Sequence, residues 1–264
     1  MPDFIDYAIV DHTLCPRGAE TDWQEQVIRL PHANCPYDTR IAHWPQMASR
    51  ETHGLPVQAF VFCCFNSNYK IEPVIFASWM QILQSVPASV LWLAVKNADI
   101  GCRLRMAASK ADITPERLIL APIMPLEQHL QRYQMADLFL DTLWHNAHTT
   151  AADALWQGLP VLTCAGEAAS SRLAASLLNA LEMPELVTKD VQQYVSMAIY
   201  YATHPHALQS LREKLQAARY TAPLFDVQRT VHALEQAYTM AWQRYRQGKA
   251  PQGFDVPDLS TTPS

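Results

Sequence analysis

Residues 136–163 read ADLFLDTLWHNAHTTAADALWQGLPVLT. DLFL at 137–140 and LPVLT at 159–163 are short apolar runs of the kind that form buried strands. Between them, 148–157 places its apolar residues at helical spacing, with Gly158 just past the end. A strand, a loop, a helix and a second strand in so short a span form a crossover unit whose two strands run parallel.

The same alternation recurs on both sides. VQAFVFCCF at 57–65 reads as a strand, and Pro73 opens a helix over 74–85 that Val86-Pro87 ends. SVLWLAV at 89–95 is a strand before a helix at 102–110. RLILA at 117–121 is another, followed by a helix from near Pro125 to about Met135. After 159–163 a fifth helix is expected over 167–179. Five such units with nearly continuous apolar strands predict an α/β fold, a Rossmann-like doubly wound parallel sheet covered on both faces. Ligands of such sheets bind beyond the carboxyl ends of the strands, so the loops after Phe65, Ala121, Asp141 and Thr163 are the places to search.

The ends differ. Residues 190–248 read as helical, closing with a long amphipathic helix over 225–248. Residues 249–264, rich in Pro and Ser, read as a flexible tail. Residues 1–56 hold one strand-like piece at 7–10 among irregular loops, too little for a domain of its own.

Composition narrows the function. The chain has 264 residues, 49% hydrophobic and 17% charged, enough to fill a core. Its net charge is −5, against the basic excess that nucleic-acid binding requires. No apolar run approaches the length of a membrane span, and the start lacks the features of a signal peptide, so a cytoplasmic protein is expected. The six cysteines include no C-x-x-C pair and read as free thiols.

Four segments offer chemistry. Lys70, one of only six lysines, follows Ser67 in the loop ahead of a helix, where a cation can neutralise phosphate oxygens. A solvated surface lysine is the plainer alternative. His148, Thr149 and Thr150 open a helix and offer donors to a diphosphate, and Asp153 one turn on can accept from a ribose hydroxyl. Thr150-x-x-Asp153 also has the spacing of a capping box, which needs no ligand. His145 and His148 lack a third ligand, so no metal site is expected. In MPLEQHLQR at 124–132, His129 can stack on a base with Arg132 on the same helix face, or be an ordinary exposed histidine. AGEAASSR at 165–172 is a weaker signal, an N-cap sequence. The glycine fingerprints of dinucleotide and P-loop sites are absent, as is the Tyr-x-x-x-Lys pair of a nucleotide-sugar epimerase.

Taken together these segments resemble the protein O-linked N-acetylglucosamine transferase family, in its bacterial branch. FVFCCFNSNYKIEP, VPASVLWL, RLILAPIMPLEQHL, the 136–163 stretch, GEAASSRLAAS and PLFD at 223–226 carry the resemblance, in unbroken order over about 57–248. It implies the C-terminal, donor-binding lobe of a GT-B glycosyltransferase over 57–224. That lobe would need no metal or other cofactor, and would use a UDP-sugar, UDP-N-acetylglucosamine above all, on Ser or Thr of acceptor proteins.

By the resemblance, Lys70 binds the diphosphate and assists the leaving group, with Ser67 beside it. His148, Thr149 and Thr150 meet the phosphates, Asp153 the ribose and His129 the uracil. Met124 and Arg132 contact the base through their backbone. Leu126 stands where animal members have a lysine that contacts the nucleotide, and His145 where they have a cysteine.

FIDYAIVDHTLCP and VIRLPH resemble the tail of the family's N-terminal lobe, making 1–56 a remnant of that lobe plus a linker. The rest of the lobe and the tetratricopeptide repeats have no counterpart in these residues. The expected partners are therefore a UDP-sugar, acceptor proteins and an N-terminal lobe or repeat region. A catalytically incomplete nucleotide-sugar-binding or regulatory module is the alternative.

Overall fold

The computed structural model describes residues 4–40 and 49–258. Six parallel strands form the main sheet: β3 (Phe60–Cys64), β4 (Ser89–Ala94), β5 (Leu118–Ala121), β6 (Leu138–Leu140), β7 (Val161–Cys164) and β8 (Val187–Thr188). β1 (Tyr7–Asp11), β2 (Gln26–Leu30) and β9 (Phe254–Asp255) form a second, smaller sheet. The main sheet runs β5-β4-β3-β6-β7-β8, so the chain winds outward from β3 in one direction, then returns to the middle and winds in the other. The switch lies between β3 and β6, where Phe62 and Cys63 pair with Leu138 and Phe139. Loops leaving two neighbouring strands toward opposite faces part there and leave a crevice.

The connecting helices are α1 (Pro73–Ser85), α2 (Ala98–Lys110), α3 (Leu126–Gln131), α4 (Thr149–Trp156), α5 (Leu173–Ala180) and α6 (Val191–Thr203). α7 (Pro205–Ala218) and α8 (Val227–Arg246) follow. Both faces of the sheet are covered, so its strands carry apolar residues at successive positions: Val61, Phe62, Cys63 and Cys64 are all buried. Trp79, Trp92, Tyr133 and Tyr194 are the largest fully buried side chains in this core. Asp137, ahead of β6, ties its lower edge. Its carboxylate accepts from Arg50 at 2.7 Å, Arg212 at 3.0 Å and the Val61 N–H at 2.8 Å.

Three expectations need correction. The helical reading of 167–179 gives way to a 3-10 turn at Ala169–Ser171 before α5, because the small residues 168–171 lack an apolar face to hold a longer helix. A sixth strand, β8, escaped the sequence reading because two residues show no period. The segment after Gly248 is no loose tail as far as Asp258: Phe254 and Asp255 pair with Ile28 and Arg29, and Val256 is buried. Gly253 permits this, since a Cβ there would stand 2.7 Å from the Val27 carbonyl. Residues 259–264 lie outside the described residues.

The first 56 residues likewise hold more order than their composition suggests. β1 and β2 run parallel, and α8 lays Ala233 and Ala237 on Ile28, Leu30 and Val256. Arg29, buried, donates to the Cys15 carbonyl at 2.7 Å, is bonded to Glu20, and meets Asp255 at 3.4 Å. The small sheet touches the main body through Asp11, whose carboxylate accepts from Ser176 of α5 at 2.7 Å. Among the described residues no helix is long and apolar enough to cross a membrane.

Candidate active site

The crevice at the switch is walled by the loop after β3 and the loop after β6. Asp141, at the end of β6, is fully buried and organises the second loop. One carboxylate oxygen accepts from the N–H groups of Thr142 (2.8 Å) and Ala147 (2.7 Å) and from Asn66 Nδ2 (3.1 Å), and the other from Thr163 Oγ1 (2.8 Å). Burial raises this carboxyl to about 6, against donors that all favour the charged form, so it is ionised at neutral pH. Thr142 Oγ1 donates to the His145 carbonyl at 2.7 Å, and the Asn146 side chain donates to the Thr142 carbonyl at 2.6 Å. The turn is thereby set before α4 begins.

Lys70 crosses from the first wall to the second. It ends the 3-10 turn Asn68–Lys70, whose backbone closes on the Ser67 carbonyl at 3.0 Å, and its Nζ donates to the Asn146 carbonyl at 2.9 Å. Burial lowers its pKa. His148, half-buried, is the N-cap of α4 and has no side-chain bond to the helix. Burial holds its pKa down, with the nearby charge of Lys70 adding to the effect and Asp11 opposing it. His145 feels the same two lowering influences. The Lys70 ammonium and the His148 ring thus lie at a helix start, whose first N–H groups have no partner within the helix.

Further along α4, the capping-box alternative for Thr150 and Asp153 is not realised, because the N-cap is His148 and no side chain caps it. Asp153 instead accepts a 2.8 Å hydrogen bond from the Tyr37 hydroxyl, and burial raises its carboxyl. Tyr133 joins α3 to α4. Its hydroxyl donates to the Thr150 carbonyl at 3.3 Å and lies 3.2 Å from His129 Nε2. His129 packs against Phe65 and Tyr133, and burial lowers its pKa to about 4, so it is neutral.

Lys70 thus meets the loop ahead of α4 through Asn146, and Tyr133 links His129 to Thr150, which brings Lys70, His129, His148, Thr149 and Thr150 to the start of α4, with Asp153 one turn on and held by Tyr37. Met124 lies in the loop ahead of α3 and Arg132 in the 3-10 turn that follows it. Arg132 does not share an exposed face with His129. It is 2% exposed, its guanidinium stacks 4.1 Å from the Phe65 ring centroid, and it donates to the Pro122 carbonyl at 2.8 Å. Met124 helps line a cavity of about 420 Å³ with His53, Trp92 and Gln128. Tyr37, Asp141 and Tyr133 were missed as site residues. A carboxylate ending a buried apolar strand was a readable sign for Asp141, whereas nothing around Tyr37 announced it. Among the described residues no three His, Cys, Asp or Glu side chains converge as a metal site requires.

Comparison with known proteins gives the family and the fold. Residues 32–234 match the profile described as Glycosyl transferase family 41. The chain is similar to the probable UDP-N-acetylglucosamine--peptide N-acetylglucosaminyltransferase SEC of Arabidopsis thaliana, 33% identical over 96% of this chain and 26% of that protein. It is also similar to the UDP-N-acetylglucosamine--peptide N-acetylglucosaminyltransferase of Caenorhabditis elegans, 39% identical over 76% of this chain and 18% of that protein. Among solved structures, a variant of the Thermobaculum terrenum O-GlcNAc transferase superposes with a TM-score of 0.82 at 29% identity. That match covers 92% of this chain and 46% of the other. The chain thus spans about a quarter or less of the curated relatives it matches. Its main sheet has the arrangement of a GT-B donor lobe.

Proposed function

The chain belongs to glycosyl transferase family 41, and from that premise we propose that it is the donor-binding part of a cytoplasmic protein O-glycosyltransferase. The donor in this reading is a UDP-sugar, UDP-N-acetylglucosamine above all, and the acceptor a Ser or Thr hydroxyl of a protein. The observation that carries the reading is the Lys70 ammonium held on the Asn146 carbonyl at the mouth of α4. It stands where positive charge from a side chain and from a helix start act on one anion.

In this reading the diphosphate lies between Lys70 and the N–H groups of Thr149 and Thr150, with Ser67 and His148 alongside. As the glycosidic bond breaks, negative charge gathers on the β-phosphate. Lys70 stabilises it more than it stabilises the bound donor, and that difference accelerates the reaction. Asp153, fixed by Tyr37, accepts from the ribose, and neutral His129 offers a ring to the uracil. Met124 and Arg132 present backbone to the base. No metal is required, because the neutralising charge comes from the protein.

In this reading transfer uses, as partners, a further lobe and the acceptor-recruiting repeat region that the family resemblance implies. A nucleotide-sugar-binding module without transfer activity is the competing reading. Calorimetry with UDP, GDP and ADP, each with and without EDTA, tests the shared step. UDP is expected to bind best and EDTA to change nothing. Preference for another base, or dependence on a divalent ion, would overturn the reading. Sugar transfer from UDP-N-acetylglucosamine to a Ser/Thr peptide then separates enzyme from module.

A further inference from the structure

Away from the crevice, a cavity of about 790 Å³ lies between residues 36–40 and 219–228. These belong to the two connections that run between the small sheet and the main sheet. The cavity is of the size that holds small organic ligands. Its acidic groups are already engaged. Asp38 takes two hydrogen bonds from the Arg40 guanidinium, each 2.9 Å, and Asp226 caps α8 by accepting from the Arg229 N–H at 3.0 Å.

Arg219 is different. It is 7% exposed, its Nε is buried without a hydrogen-bond partner, and among the described residues no carboxylate forms an ion pair with it. Its guanidinium lies 5.6 Å from the Trp156 ring centroid, and burial lowers its pKa, opposed by the neighbouring Tyr220 side chain. Tyr37 and Phe225, packed edge to face, supply an apolar wall. A buried cation without a counter-ion is costly, and the cost is recovered when an anion hydrogen-bonds to it.

We propose that this cavity binds a small organic anion, a carboxylate or phosphate carried on an apolar or aromatic body, with Arg219 as the residue that recognises the charge. The anion meets the guanidinium and the apolar body lies on Tyr37 and Phe225. A neutral ligand of the same shape leaves the charge uncompensated. The site is separate from the crevice but backs onto it, since Tyr37 gives its ring to the cavity and its hydroxyl to Asp153. The proposal does not depend on the identity of the nucleotide.

The test is a titration of the ¹⁵N-labelled chain with phenyl phosphate, benzoate and neutral phenol, followed by amide shifts. Saturable shifts at Thr221, Val227 and Gln228 are expected with either anion, and at least tenfold weaker binding with phenol. Arg219→Gln should weaken the anions at least tenfold. Thr221→Trp, which fills the cavity from an exposed position, should abolish the shifts and decides the matter alone if Arg219→Gln does not fold. Lys70→Ala should leave them unchanged. The proposal is overturned if neither anion gives saturable shifts at these residues, or if phenol binds equally. It is also overturned if Lys70→Ala rather than Arg219→Gln removes the binding, since the anion would then occupy the crevice.

Discussion

The Tyr37 hydroxyl donates to Asp153 Oδ1 at 2.8 Å, joining residues 116 positions apart in the chain. The bond fixes the carboxylate of α4 from the segment that joins the small sheet to the main sheet. It also couples the connection at 36–40 to the crevice wall. Tyr37 sits in an aromatic cluster with Trp156 and Phe225, so its ring is anchored independently of the bond.

Tyr37→Phe keeps that ring and deletes only the donor. Asp153 then loses a partner that favours its charged form, so its carboxyl rises further. The expected loss of stability is about 1–2 kcal/mol, the usual cost of leaving a partly buried acceptor unpaired. Urea denaturation measures it, and an unchanged midpoint would show that the bond contributes nothing.

Lys70→Ala is expected to weaken UDP binding by roughly 1.5–3 kcal/mol, the worth of one charge-assisted hydrogen bond. The melting temperature without ligand should also fall, by the equivalent of about 1 kcal/mol, because the carbonyl that Lys70 reaches belongs to the buried Asn146. Affinity unchanged by the substitution would return Lys70 to the status of a surface lysine.

If Asp153 holds the ribose, Asp153→Asn should erase the preference for UDP over 2′,3′-dideoxy-UDP. The parent chain should show that preference at about 1–3 kcal/mol. Since Asp153 does not cap α4, any change in melting temperature reports the Tyr37 bond. Equal discrimination in parent and variant would rule out a ribose contact.

His129 carries a pH prediction. Burial places its pKa near 4, below the 6.5 of a free imidazole. The folded state therefore binds this proton less readily than the unfolded chain does. The corresponding stability is complete above pH 6.5 and is lost as pH falls from there toward 4, on the order of 3 kcal/mol. Replacing His129 with Gln should flatten that part of the stability curve, and an imidazole resonance titrating near 6.5 would contradict the prediction.

Asp137→Ala should cost about 1–3 kcal/mol, because it leaves the Val61 N–H without its acceptor and removes the charge partner of Arg50 and Arg212, which keep their backbone-carbonyl acceptors. UDP affinity should be preserved, as Asp137 lies ahead of β6 at the end of the sheet opposite the crevice. A variant as stable as the parent would show that solvent replaces the network.

The alternation of apolar runs and helical stretches was enough to place β3 to β7 and the helices between them, since each element expresses its own period within a dozen residues. The crevice followed from that order, because a doubly wound sheet can open only where its winding reverses. Lys70 and the start of α4 were legible for the same local reason: a lone lysine and a run of donors after a strand. Leu126 and His145, which depart from the animal pattern, both stay on the surface, Leu126 63% exposed.

What the sequence determined by itself was therefore the set of elements whose signal is local: the main sheet, the long last helix and the residues at strand ends. Only the tertiary structure decided the rest. Phe254 and Asp255 become a strand because β2 offers an unpaired edge more than 200 residues away, and Gly253 lets the chain approach it. Arg132 turns inward because Phe65 and the Pro122 carbonyl receive it. Tyr37 belongs to the site because the fold carries it to Asp153. In each case the free energy resides in contacts between segments far apart in sequence, and no local period records them.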